Sequence, residues 1–70
     1  MGRHNLYLFR HSMRLKQSEM AEKIGCSRNY YSMVESGRVE GKQQFWSALQ
    51  KAFGIPDSKM YPLMRVIEGG

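Results

Sequence analysis

The chain has 70 residues, 41% of them hydrophobic and 24% charged, with a formal net charge of +5 and a pI of about 9.7. That length supports one domain with a small core, and the apolar share excludes ordinary disorder. No apolar run approaches the roughly 18 residues that span a bilayer, Leu6 to Phe9 is too short for a secretory h-region, and a single cysteine, Cys26, fits a cytoplasmic chain without disulfides.

The excess of basic residues favours a polyanionic partner through long-range attraction and counterion release. That signal gains weight only where a motif coincides with it. Residues 1–4 (MGRH) are expected to form a flexible N-terminal arm, with Arg3 and His4 solvated or, alternatively, touching phosphate. Asn5 suits the N-cap of a first helix running to about Arg14. Leu6, Phe9 and Met13 at i, i+3 and i+7 give that helix one apolar face, and Arg10 lies at its edge, an odd place for a charge in a small protein.

Leu15 and Lys16 lead into a second helix starting near Gln17, on which Met20, Ala21 and Ile24 share a face. Gly25 stops it, because glycine enters the left-handed conformation at no steric cost. Glu19 and Glu22 read as solvated. Ser27 then caps a third helix over about Ser27 to Ser36. Tyr31 and Val34 face back towards Met20 and Ile24, which leaves Arg28, Asn29, Ser32 and Met33 on the opposite side.

Gly37 closes the third helix, and the loop GRVEG (37–41) carries Arg38 towards Lys42. A fourth helix spans about Lys42 to Phe53, with Phe45, Trp46, Leu49, Ala52 and Phe53 at helical spacing as core. Gly54 ends it, Ile55 returns inward, and Pro56-Asp57-Ser58 starts a short fifth helix through about Tyr61, ended near Pro62. In the tail, 63–70 (LMRVIEGG), Leu63, Met64, Val66 and Ile67 are more apolar than a free terminus needs. They either extend the core or pair with a second copy.

Two short helices joined by a glycine turn form a helix-turn-helix, whose second helix can lie in the major groove of DNA. Gln17, Ala21 and Gly25 recur at fours, with Met20, Ile24, Cys26, Tyr31 and Val34 at the remaining apolar places. On these residues the chain resembles the Cro/CI-type (Xre-like) helix-turn-helix family of phage and bacterial transcription regulators, over about residues 5 to 62. The resemblance implies an all-α, five-helix lambda-repressor-like DNA-binding domain with the helix-turn-helix at helices 2 and 3.

Its implied partner is double-stranded DNA, met by a homodimer with the tail from Leu63 to Ile67 as candidate interface. Bases would be read by Arg28 (guanine O6 and N7), Asn29 (adenine N6 and N7), Met33 (a thymine methyl) and Ser32. Phosphates would be held by Gln17 at a helix N-terminus, and by Arg38 and Lys42 as a clamp. Ser27 and Tyr30 join that set, although the Tyr30 ring has the alternative of simply covering the helix edge. The family pattern also pairs Arg10 with Glu35 as a structural ion pair.

Three departures stand out. Lys16 occupies the place of a capping Thr or Ser. Tyr31 replaces an Ile or Val, and is expected to reach past the core and slightly open the helix packing. Gly41 stands where many relatives have Pro, implying a looser approach to the fourth helix.

No catalytic set emerges. His4 and His11 lack a carboxylate or Cys at ligand spacing, Cys26 reads as packed rather than reactive, and the glycines form no phosphate cradle. No enzyme activity, cofactor, metal, small-molecule ligand or membrane is expected. The leading function is a sequence-specific transcriptional regulator, a small repressor of phage or mobile-element type. The alternatives are an antitoxin-type autorepressor that also binds a toxin, and a protein-interaction module that has lost base reading.

Overall fold

Five helices make up most of the described residues, 2–67, of the computed structural model. They are α1 (His4–Ser12), α2 (Gln17–Ile24), α3 (Arg28–Glu35), α4 (Gln43–Phe53) and α5 (Asp57–Met64). α2 packs chiefly on α3 and α4, whereas α1 packs on α5 and α3. Leu6, Met20, Tyr31, Val34 and Leu49 are fully buried at the centre, ringed by Ala21, Ile24, Phe45, Trp46, Ile55, Met60 and Leu63. Each large apolar side chain so buried contributes about 1.5–3 kcal/mol, and no buried side-chain polar atom among the described residues lacks a partner.

The N-terminus departs most from expectation. Gly2 and Arg3 are built into the fold: Gly2 forms an antiparallel bridge with Ile67, whose N–H donates to the Gly2 carbonyl at 2.8 Å, and Arg3 is only 5% exposed. α1 begins at His4, so Asn5 is not its N-cap; Asn5 Nδ2 instead donates to the Pro62 carbonyl on α5. The helix ends at Ser12 rather than near Arg14. Arg14 turns left-handed (φ 57°), and the Leu15 N–H closes the turn onto the Arg10 carbonyl.

The C-terminal part is also more structured than a tail. α5 continues through Pro62 to Met64. Proline inside a helix costs about 3 kcal/mol. Burial of Met60 and Leu63, one turn apart, offsets that loss. Leu63 therefore belongs to the core and offers nothing to a second copy, while Met64 and Ile67 stay partly exposed. Residues 68–70 of the expected tail lie outside the described residues.

Smaller corrections follow from local geometry. Lys16 cannot accept a hydrogen bond, so α2 is capped from the other direction: Glu19 Oε1 accepts from the Lys16 N–H at 2.8 Å. Glu19 is thus more than a solvated charge. On α4 the inward residues are Phe45, Trp46 and Leu49, and Phe53 meets Phe9 edge-on at 5.5 Å. Ala52 faces solvent.

Candidate nucleic-acid interface

The turn between α2 and α3 is held by Gly25 (φ 91°) and by Ala21, whose carbonyl accepts from the N–H groups of both Gly25 and Cys26. Ser27 Oγ accepts from the Tyr30 N–H at 3.1 Å and starts α3. From there the helical period sorts the side chains. Tyr31, Val34 and Glu35 point inward, whereas Arg28 and Asn29 are exposed and Ser32 and Met33 half-exposed. At i, i+1, i+4 and i+5, these last four share one outward strip.

Behind that strip, a polar cluster fixes α3 against α1 and α2. Arg10 and Glu35 form a bidentate pair, Nε to Oε2 at 2.8 Å and Nη2 to Oε1 at 3.0 Å, with each residue about 8% exposed. Arg10 Nη1 also donates to the Leu15 carbonyl. Tyr31 is fully buried and its hydroxyl donates to Glu35 Oε2 at 2.7 Å. It does not reach past the core, because a carboxylate one turn away satisfies its hydroxyl inside. Burial, then the neighbouring Glu35, push the Tyr31 hydroxyl's pKa far above its ordinary value.

Gln17 Nε2 donates to Glu35 Oε1 at 3.2 Å. That bond ties one of its two amide N–H groups inward and leaves the second as a donor for the phosphate role expected of Gln17. Its backbone N–H, in the first turn of α2, still has no helical partner.

Burial alone raises the pKa of Glu35, but hydrogen bonds from Arg10, Tyr31 and Gln17 and the Arg10 charge outweigh it, leaving it below the ordinary carboxylate value. A group that holds its proton less firmly in the folded state adds stability above its unfolded pKa, and that stability is lost as pH falls through the folded value. The urea midpoint is therefore expected to drop as the pH falls below the ordinary carboxylate range, and to drop less in Glu35→Gln. Equal acid sensitivity of the two proteins would count against the assignment.

Following α3, Arg38 and Lys42 are exposed at either end of the loop 37–41. Tyr30 lies between: its ring meets Phe45 edge-on at 5.7 Å, and its hydroxyl accepts from the Lys42 N–H at 2.9 Å. The ring covers the helix edge while the hydroxyl proton remains available to an outside acceptor. Gly41 is not loose. Its φ is 84°, and a Cβ there would lie 2.9 Å from Trp46 Nε1. That indole in turn donates to the Glu40 carbonyl at 3.2 Å.

Arg3, expected to be solvated or to touch phosphate, is instead buried. Its guanidinium donates to the carbonyls of Val34, Val39 (2.8 Å), Glu40 (3.0 Å) and Met64 (2.8 Å), and it sits over the Trp46 ring at 5.3 Å. No side-chain carboxylate pairs with it among the described residues. Burial holds its pKa below the usual arginine value. Nothing in local sequence pattern signals such a residue, because all its partners are more than thirty positions away.

Other reactive groups remain apart from this surface or are muted. His4 and His11 flank Tyr7 along α1, at ring distances of 5.9 and 4.2 Å. No set of three potential metal ligands occurs among the described residues. Cys26 is half-buried, and burial pushes its thiol pKa up, away from the reactive thiolate.

A glycine-turned pair of helices whose second member frees its polar strip to solvent defines a helix-turn-helix DNA-binding domain. The helix-turn-helix family model HTH_3 matches residues 6–59, well over half of the chain. The protein belongs to this Cro/CI-type (Xre-like) family, and is a DNA-binding regulator whose partner is double-stranded DNA. Searches of curated proteins and of solved structures found no match. Among the described residues, no helix is long and apolar enough to cross a membrane.

Proposed function

We propose that this chain is a small sequence-specific repressor of phage or mobile-element type, occupying its operator as a symmetric dimer with α3 in the major groove. The observation that carries this reading is the outward strip Arg28, Asn29, Ser32 and Met33 on a helix whose opposite side is anchored in the core. Arg28 reads guanine, Asn29 adenine and Met33 a thymine methyl, with Ser32 bonding to base or phosphate. Gln17, Ser27, Tyr30, Arg38 and Lys42 hold phosphates and set the register. A module that only bound proteins would have no use for this arrangement of guanidinium, amide and ammonium groups.

Dimerisation uses the partly exposed apolar residues near the chain ends. Met64 and Ile67 remain from the expected tail contact, and Tyr61, 71% exposed, adds to them on α5. Two copies would place their α3 helices at half-sites about one turn of DNA apart.

Selection from random DNA followed by footprinting tests the whole reading, and a two-fold symmetric consensus is the expected outcome. On the selected operator, Arg28→Ala should lose about 1–3 kcal/mol and relax preference at one base pair. Lys42→Ala should instead weaken all sequences alike and reduce the salt slope by about one. If both variants bound like the parent, the assignment of α3 and its clamp would be wrong.

A further inference from the structure

The loop 37–41 begins and ends on glycines of positive φ, 82° at Gly37 and 84° at Gly41. Two such residues make a loop that glycine freedom alone would leave soft. Its first half is tied to α3 through the N–H groups of Gly37, Arg38 and Val39. The carbonyls of Val39 and Glu40, in the second half, are both taken by the Arg3 guanidinium, which also grips Val34 near the end of α3 and Met64 at the end of α5. One planar fork thus joins the loop to two helix C-termini, whose partial negative charge compensates the buried cation.

The segment that delivers Arg3 is seated backbone to backbone. A Cβ on Gly37 would stand 3.2 Å from the Gly2 Cα, and a Cβ on Gly2 would stand 3.3 Å from the Glu35 carbonyl oxygen. The Arg3 N–H donates to that same Glu35 carbonyl at 2.8 Å. Gly2 therefore lets the chain lie flat against the end of the recognition helix, with Arg3 projecting beneath the loop.

We propose that Arg3 is a positioning residue for DNA binding, holding the loop 37–41 so that Arg38 and Lys42 are aimed at phosphates. Arg38 directly precedes Val39, and Lys42 follows Glu40 by two residues, so the two gripped carbonyls lie between the two cations. This deepens the reading above and rests on Arg38 and Lys42 being phosphate contacts. Arg3 itself touches no DNA in this scheme.

The test combines Arg3→Met and Arg3→Lys with a background carrying Arg38→Ala and Lys42→Ala. Binding to the selected operator is titrated across salt, with the folded fraction fixed by circular dichroism under the same conditions. In the parent background, the folded Arg3→Met protein should bind about tenfold more weakly with a salt slope reduced by about one. In the background lacking both cations, the same change should do nothing further. Arg3→Lys, which keeps charge but cannot fork among four carbonyls, should fall between and serves alone if Arg3→Met does not fold.

Amide exchange at Arg38 and Val39 in the free protein should speed up in both Arg3 variants. Folded variants that bind with parental affinity and slope would overturn the proposal, as would equal losses in both backgrounds. If the double-cation variant itself binds like the parent, the phosphate assignment fails and takes the positioning role with it. The exchange rates then show separately whether Arg3 holds the loop at all.

Discussion

Glu35→Ala is expected to cost on the order of 3–5 kcal/mol of folding stability, which at the low end of a small domain's range of about 5–15 kcal/mol leaves little fold. The reason lies in what the carboxylate leaves behind. Arg10 would keep only its bond to the Leu15 carbonyl, as a guanidinium about 8% exposed without its counter-charge. The fully buried Tyr31 hydroxyl would lose its acceptor. Gln17 would lose its inward tie.

Urea unfolding followed by circular dichroism measures the loss directly. Glu35→Gln, which retains shape and one acceptor oxygen, should lose less than Glu35→Ala. A loss below about 1 kcal/mol in the alanine variant would show the cluster to be solvated and of surface-pair strength.

Gly41→Ala is expected to cost about 2–5 kcal/mol, of which about 1–2 is conformational and about 1–3 is steric. The steric part comes from Trp46, 2.9 Å from the added carbon. Its indole is 6% exposed, bonded to the Glu40 carbonyl and covered by Arg3, so it has nowhere to retreat. Gly25 supplies the control. Its φ of 91° is similar, yet a Cβ there meets nothing within 4 Å, so Gly25→Ala should show the conformational part alone. Thermal unfolding of both variants separates the two contributions, and equal losses would remove Trp46 from the account.

Both results bear on what was legible in the sequence. The helix-turn-helix and the outward strip of α3 follow from a period of 3.6 and two punctuating residues, Gly25 and Ser27, and these signals are local. Tyr31 and Glu35 lie four apart, so their contact was also implicit in the spacing, although tyrosine there read as a misfit until its partner was seen. The pairing of Glu35 with Arg10 came through family resemblance, since no spacing rule joins residues 25 positions apart.

What escaped has a common physical origin. Gly41 looked loose because a glycine in a loop says nothing about an indole five residues further on. Pro62 looked like a stop because the burial of Leu63 that overrides it depends on packing against other helices. Arg3 and Ile67 looked like chain ends because their partners lie far off in the polypeptide, at positions 34–64 for Arg3 and at Gly2 for Ile67. The inward turn of Gln17 depended on Glu35 having a spare acceptor lobe.

The reach of Arg3, across 31 to 61 positions, also has a kinetic consequence. Such contacts repay their loop-closure entropy only after the nearest-neighbour helix pairs have docked. Interactions formed late, beyond the rate-limiting barrier, slow escape from the native state without hastening its formation. Arg3→Met is therefore expected to speed unfolding more than it slows refolding, an outcome that stopped-flow mixing in urea measures.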